Sequence, residues 1–247
     1  MGGVSGSSRM SSVAFISTKG GAGKSTVAAQ FAIAASGKGR KPLILDCDAA
    51  QTSIQVWASA LRHERLPVIR TGSQEAIAGQ LAKARGEGFD LVVIDVPPGG
   101  GQLVTLVASL AEHILVPVRA TTFDLHAMRN TVDLLRAAAD NTEPAEVTCR
   151  NALGKAAIVL NGTPARPSAS WRKDMMGALA QCGAGGLVVV GSLADRAAYS
   201  ASIENGRGVT EEKRDPKAVE EIMELYRNVA GLERRRAAAI RKAGGRK

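Results

Sequence analysis

Between Ser17 and Thr26 the chain reads STKGGAGKST. Three glycines, Gly20, Gly21 and Gly23, stand among two lysines, Lys19 and Lys24, and two hydroxyls, Ser25 and Thr26. Glycines let backbone N–H groups approach phosphate oxygens, and a helix opening near Lys24 would aim its positive end at them. Lys24 would reach β- and γ-phosphates, and the Ser25 hydroxyl would ligate Mg²⁺. The fit to G-x-x-x-x-G-K-[ST] is imperfect, because Thr18 fills the first glycine position. Glycine-rich loops are common; one that follows a buried strand, opens a helix and carries GK[ST] is not. One lysine suffices for this chemistry, so Lys19 is left over.

The loop calls for an aspartate at the end of another strand. Asp95 closes DLVVID and would hold the Mg²⁺ shell through water. The following VPPGGG, 96–101, is a candidate switch whose glycine backbone can move toward a γ-phosphate. In LILDCDAAQTS, Asp46 and Asp48 stand two apart and so share a face of a strand. Ligands of open parallel sheets bind at that carboxyl edge. One carboxylate can join the Mg²⁺ shell while the other orients an attacking water. Alone, D-x-D says little; beside a phosphate loop it gains meaning.

The elements that must position these residues follow from alternating apolar runs and helical patterns. Strands are expected over 12–17, 42–46, 66–70, 90–95, 113–118, 155–161 and 186–191. Helices are expected over 25–36, 52–61, 73–85, 102–110, 125–139 and 169–181, and from Asp215 onward. Continuous apolar strands separated by helices predict an α/β fold: one P-loop domain with a mostly parallel twisted sheet flanked by helices on both faces. The segment 141–154 shows no clear pattern and reads as a surface loop or helix end.

Composition narrows the class. The 247 residues suit one large domain. No run of about 18 apolar residues exists, so no membrane span is expected. MGGVSGSSRM lacks an apolar stretch, so no secretory signal is expected. Cys47, Cys149 and Cys182 lack metal-ligand spacing and suit a cytoplasmic protein. The net charge is +9, and RRRAAAIRKAGGRK, 234–247, holds seven basic residues and no acidic one. Such a tail suits a polyanion, though it also reads as a solvated helix end. The expected division is a flexible N-terminus (1–11), the domain (12–230) and a basic tail (231–247).

KGGAGKST resembles the deviant Walker A of the ParA/MinD group of P-loop ATPases, K-G-G-x-x-K-[ST], with Lys19 at the signature lysine. The D-x-D pair, DLVVIDVPPG and HILVPVRATTFDL are similar in order and spacing to ParA partition ATPases. GSLADRAAYSASIENGRGVTE resembles a late segment of small ParA proteins. The resemblance spans residues 12–230, with no helix-turn-helix ahead of the loop.

It implies an ATP- and Mg²⁺-dependent ATPase that pairs as a nucleotide-sandwich homodimer. Residues 19–26, Ala22 included, would hold the nucleotide, and each Lys19 would cross to the partner's phosphates as an arginine finger does. Asp48 would activate water, with Asp46 assisting at Mg²⁺. Asn161 lies where relatives can contact adenine, although a strand-ending asparagine is also a common turn former. The ATP dimer would bind double-stranded DNA without sequence preference. A ParB-like partner or small adaptor would stimulate hydrolysis, moving plasmid or chromosome cargo in the cytoplasm over the nucleoid. The alternative is a relative that positions a protein cargo, a carboxysome or cluster. One departure stands out: the family's D-P-Q is here Asp48-Ala49-Ala50-Gln51, which lengthens the segment and shifts Gln51.

DNA backbone contacts need only lysine and arginine. The candidates are Lys213, Arg214 and Lys217, and Arg234, Arg235 and Arg236, acting as a stripe, with Arg196 and Arg207 nearby. A MinD-type membrane helix would need bulky apolar residues. The tail offers only Leu232 and Ile240, so no membrane docking is expected.

Overall fold

The apolar runs form seven strands: β1 (Ser11–Phe15), β2 (Pro42–Asp46), β3 (Val68–Arg70), β4 (Leu91–Asp95), β5 (His113–Arg119), β6 (Ala156–Thr163) and β7 (Val188–Ala194). They make one sheet, ordered β3-β2-β4-β1-β5-β6-β7, in a computed structural model that describes residues 10–48, 66–99, 101–119, 121–140 and 152–244. Every neighbouring pair is parallel. All residues of β1, β2 and β4 are buried, as central strands covered on both faces must be.

Eight described helices follow in order: α1 (Lys24–Ser36), α2 (Gln74–Gly86), α3 (Gln102–Leu110), α4 (Thr122–Asp140), α5 (Ala169–Gln181), α6 (Ala197–Glu204), α7 (Val209–Glu212) and α8 (Pro216–Gly244). Ile77, Val107, Val132 and Leu179, from α2 to α5, pack on one face of the sheet. Phe31, Tyr199, Val209, Ile222 and Leu225, from α1 and α6 to α8, pack on the other. The chain leaves β1 for β2 on one side and leaves the adjacent β4 for β5 on the other, which makes the carboxyl ends of β1 and β4 the switch point of the sheet.

Buried polar contacts fasten the late helices. Gln30, 1% exposed in α1, donates to the Tyr199 carbonyl and the Ser202 hydroxyl and accepts from the Val209 N–H at 2.9 Å. Glu221 of α8 accepts from the Ala194 N–H, the Arg196 guanidinium and the Tyr199 hydroxyl. Three turns later Glu233 accepts from the Ser11 hydroxyl at 2.7 Å and from Arg40 at 3.1 Å. One helix therefore runs from the end of β7 to the start of β1. The expected boundary between residues 230 and 231 falls inside it.

Other edges move for local reasons. α4 begins at Thr122 rather than Leu125, because Thr121 and Asp124 close its first turn: the Asp124 N–H donates to Thr121 Oγ at 3.2 Å. β7 starts two residues later than expected, after a turn in which the Leu187 N–H bonds the Ala184 carbonyl. Of 141–154, only the end is described, where Leu153–Lys155 forms a 3₁₀ turn. The helix expected over 52–61, and Gln51, lie outside the described residues.

Candidate functional site

The loop between β1 and α1 wraps the carboxyl edge of the sheet. Gly21 and Gly23 adopt positive φ, 76° and 91°, which the turn requires and other residues resist. A Cβ on Gly23 would lie 2.1 Å from Asn161 Nδ2, whereas one on Gly20 would meet nothing nearer than Pro98 at 4.0 Å. Asn161, in β6, donates to the Ala22 carbonyl at 2.9 Å and so braces the loop. Gly23→Ala is therefore expected to destabilise the empty protein by about 1–3 kcal/mol from backbone conformation alone, with the clash added. Gly20→Ala should leave the melting temperature unchanged. Thermal melts of both variants check this contrast; equal melting temperatures would contradict it.

Lys24, Ser25 and Thr26 join Gly20, Gly21, Gly23, Asp48 and Pro98 around a cleft of about 140 Å³. The Lys24 ammonium donates to the Lys19 carbonyl at 3.3 Å. Burial lowers its pKa, opposed by the charges of Asp95 and Asp48. Ser25 Oγ donates to Asp95 Oδ2 at 2.6 Å, which turns its lone pairs toward the cleft's contents.

Asp46 and Asp95 end neighbouring strands in direct register, each 1% exposed. Burial pushes the Asp95 carboxyl up to about 7; Ser25 and Lys24 pull it down, and Asp46 and Asp48 push it up. Asp46 is likewise raised by burial, opposed by the hydrogen bond from the Asp48 N–H at 3.1 Å. Among the described residues, Asp46 Oδ2 and Asp95 Oδ1 are buried without a hydrogen-bond partner. Two orphaned carboxylate oxygens beside a hydroxyl fit a hard cation. Among the described residues no group of three or more His, Cys, Asp or Glu forms an all-protein cage. Two carboxylates and a hydroxyl suit Mg²⁺, which takes few protein ligands and completes its shell with water and phosphate.

The Gly99 N–H donates to the Thr18 carbonyl at 2.9 Å, tying the candidate switch to the phosphate loop. Lys19 pairs with Asp124 Oδ1 at 3.0 Å. Asp124 was not among the expected site residues, although it lies within HILVPVRATTFDL and in the T-x-x-D cap of α4.

The basic candidates fall toward the two ends of α8. Lys213, Arg214 and Lys217 are exposed where α8 begins, beside the site's edge of the sheet. Arg234 and Arg235 are exposed about 26 Å away along the helix. Exposed Glu220, Glu224 and Arg227 lie between the two groups on the helix. Arg196 is 14% exposed and held by Glu221 and Asp215, which removes it from the candidates. Arg207 is exposed; the side chain of Arg236 lies outside the described residues.

A parallel sheet with a doubled-lysine phosphate loop at its switch point defines a P-loop nucleotide-binding protein. Residues 13–209 match the CobQ/CobB/MinD/ParA nucleotide binding domain, and the chain belongs to that family of P-loop ATPases. It is 26% identical over 226 residues to the "Maintenance of carboxysome distribution protein A" of Halothiobacillus neapolitanus, covering 90% of this chain and 98% of that one. Its fold is similar to the MinD cell division protein of Aquifex aeolicus, at a TM-score of 0.67 and 16% identity, covering 90% of this chain and 97% of that chain. A McdA variant from Cyanothece, solved as an ATP complex, is similar at a TM-score of 0.65 and 18% identity, over 90% and 97% of the two chains. Among the described residues no helix is long and apolar enough to cross a membrane.

Proposed function

We propose that this chain is a Mg²⁺-dependent ATPase whose ATP-bound homodimer binds double-stranded DNA non-specifically and is released by stimulated hydrolysis. What supports this reading is the division of the two lysines: Lys24 lines the cleft, while Lys19 pairs with Asp124 of α4 at 3.0 Å. A lysine retained there suits a second nucleotide, brought by a partner.

The chain's residues divide the work. Backbone N–H groups of residues 20–26 hold the phosphates, and Lys24 balances their charge. Ser25, Asp46 and Asp95 would hold Mg²⁺, which neutralises phosphate charge when bound. Asp48, at the cleft wall, orients the attacking water and takes up its proton. Asn161 commits one amide N–H to the loop; its second N–H and its oxygen suit an adenine edge.

The basic clusters around Lys213 and Arg234 would contact DNA phosphates. Leu232 packs on the core, so it is spent on folding rather than on a lipid surface. Two cargoes suit such a cycle. A ParB-like partner would direct it to a plasmid or chromosome. The end-to-end similarity to a carboxysome distribution protein favours the second reading, a protein cargo reached through a small adaptor.

Duplex binding measured with ATP and with ADP, at two salt concentrations, tests the DNA step. Tight binding is expected with ATP only and should weaken with salt. Replacing Arg234, Arg235 and Arg236 with alanine should lower the slope of log affinity against log salt by about 0.9 per lost contact. Equal binding with both nucleotides would falsify the reading.

A further inference from the structure

We propose that Asp124 holds Lys19 within its own chain and thereby sets the threshold at which two nucleotide-bound chains pair. The inference rests on the cross-protomer role of Lys19.

The contact is built rather than incidental. Asp124 is 3% exposed, and its Oδ1 lies 3.0 Å from the ammonium of Lys19, whose side chain is 35% exposed. The other carboxylate oxygen accepts from the Thr121 hydroxyl, so the acid cannot turn away. The backbone ahead of Lys19 is pinned to the same helix. The Thr18 N–H donates to Thr131 Oγ at 3.1 Å, and the Thr18 hydroxyl to the Ala127 carbonyl at 2.9 Å. The corner of the phosphate loop therefore rests on α4, with its lysine tip on Asp124.

One ammonium cannot sit on a buried carboxylate and on a distant phosphate at once. Drawing Lys19 away leaves a buried negative charge without its cation, which is costly. Release then occurs only where a stronger anion compensates, as the triphosphate of a second chain would. A monophosphate-poorer nucleotide offers less charge and leaves the lysine held. Asp124 is thus a positioning residue: it acts through Lys19 and touches no substrate.

The competing account makes Asp124 a helix cap alone, since T-x-x-D closes the first turn of α4. A cap needs hydrogen bonds, whereas a hold on lysine needs charge. Asp124→Asn keeps the shape of the first and removes the second.

Sedimentation of wild type, Asp124→Asn, Lys19→Ala and the double variant, each with ATP or ADP and Mg²⁺, separates the cases. Asp124→Asn is expected to half-dimerise at a protein concentration about tenfold lower with ATP, and at an unchanged concentration with ADP. The double variant should show no gain over Lys19→Ala. Should Asp124→Asn fail to fold, Thr121→Val, which removes only the clamping hydroxyl, is read the same way. Unchanged or weaker pairing of the folded variant overturns the proposal. If Lys19→Ala pairs and turns over like wild type, the cross-protomer reading itself fails; if it does not, while Asp124→Asn matches wild type, only the hold is lost.

Discussion

Replacing Lys24 with alanine is expected to cut ATP affinity more than a hundredfold while the chain stays folded. Lys24 is 6% exposed and faces the charges of Asp95 and Asp48. With the ammonium gone, the incoming phosphates lose the cation that lines the cleft and meet the charge of Asp48. Breaking a buried charge pairing costs about 3 kcal/mol or more, a factor above one hundred in affinity. The empty protein tolerates the change because burial already pushes the Asp95 carboxyl up to about 7. Loss of Lys24 pushes that carboxyl higher, so it takes a proton near neutral pH and discharges itself. Equilibrium binding of a fluorescent ATP analogue, beside a thermal melt, reads both halves. Wild-type affinity in a folded variant would remove Lys24 from the site.

Asp48→Ala is expected to do the opposite: keep ATP and stop its hydrolysis. Asp48 is 6% exposed and lines the same cleft as Lys24 and Ser25, the residues proposed to hold the phosphates and Mg²⁺. General-base groups contribute about 10²–10⁴ in rate, so turnover should fall at least a hundredfold. ATP affinity should change little, and the ATP-bound dimer should outlive that of wild type. Phosphate release with and without DNA, together with the lifetime of the dimer after ATP is diluted, measures this. Near-normal turnover would move the water-activating role to another group.

Much of this site was legible in the sequence because its parts are local. The loop, the strand-ending Asp46 and Asp95 and the buried strands each announce themselves within about ten residues, and the sheet brings them to one edge. What stayed hidden depends on distance along the chain. Lys19 and Asp124 meet across 105 positions, and nothing near either one names the other. The helices α6 and α7 gave little periodic signal, being short and rich in small residues. Gln30, from α1, and Glu221, from α8, fix them through buried polar bonds spanning up to 179 positions. The division of the basic residues was illegible for a similar reason. A charge count cannot tell that α8 continues as one rod and carries Arg234 to the far edge of the sheet.

That rod has a practical consequence for anyone trimming the chain to ask what its positive end does. Glu233, one residue before the first of those arginines, also carries Ser11 and Arg40, and Arg40 in turn carries Asp90. A truncation placed after Glu233 subtracts charge. The same cut placed a residue earlier unties the first strand of the sheet, and the assay would then report folding in the guise of affinity.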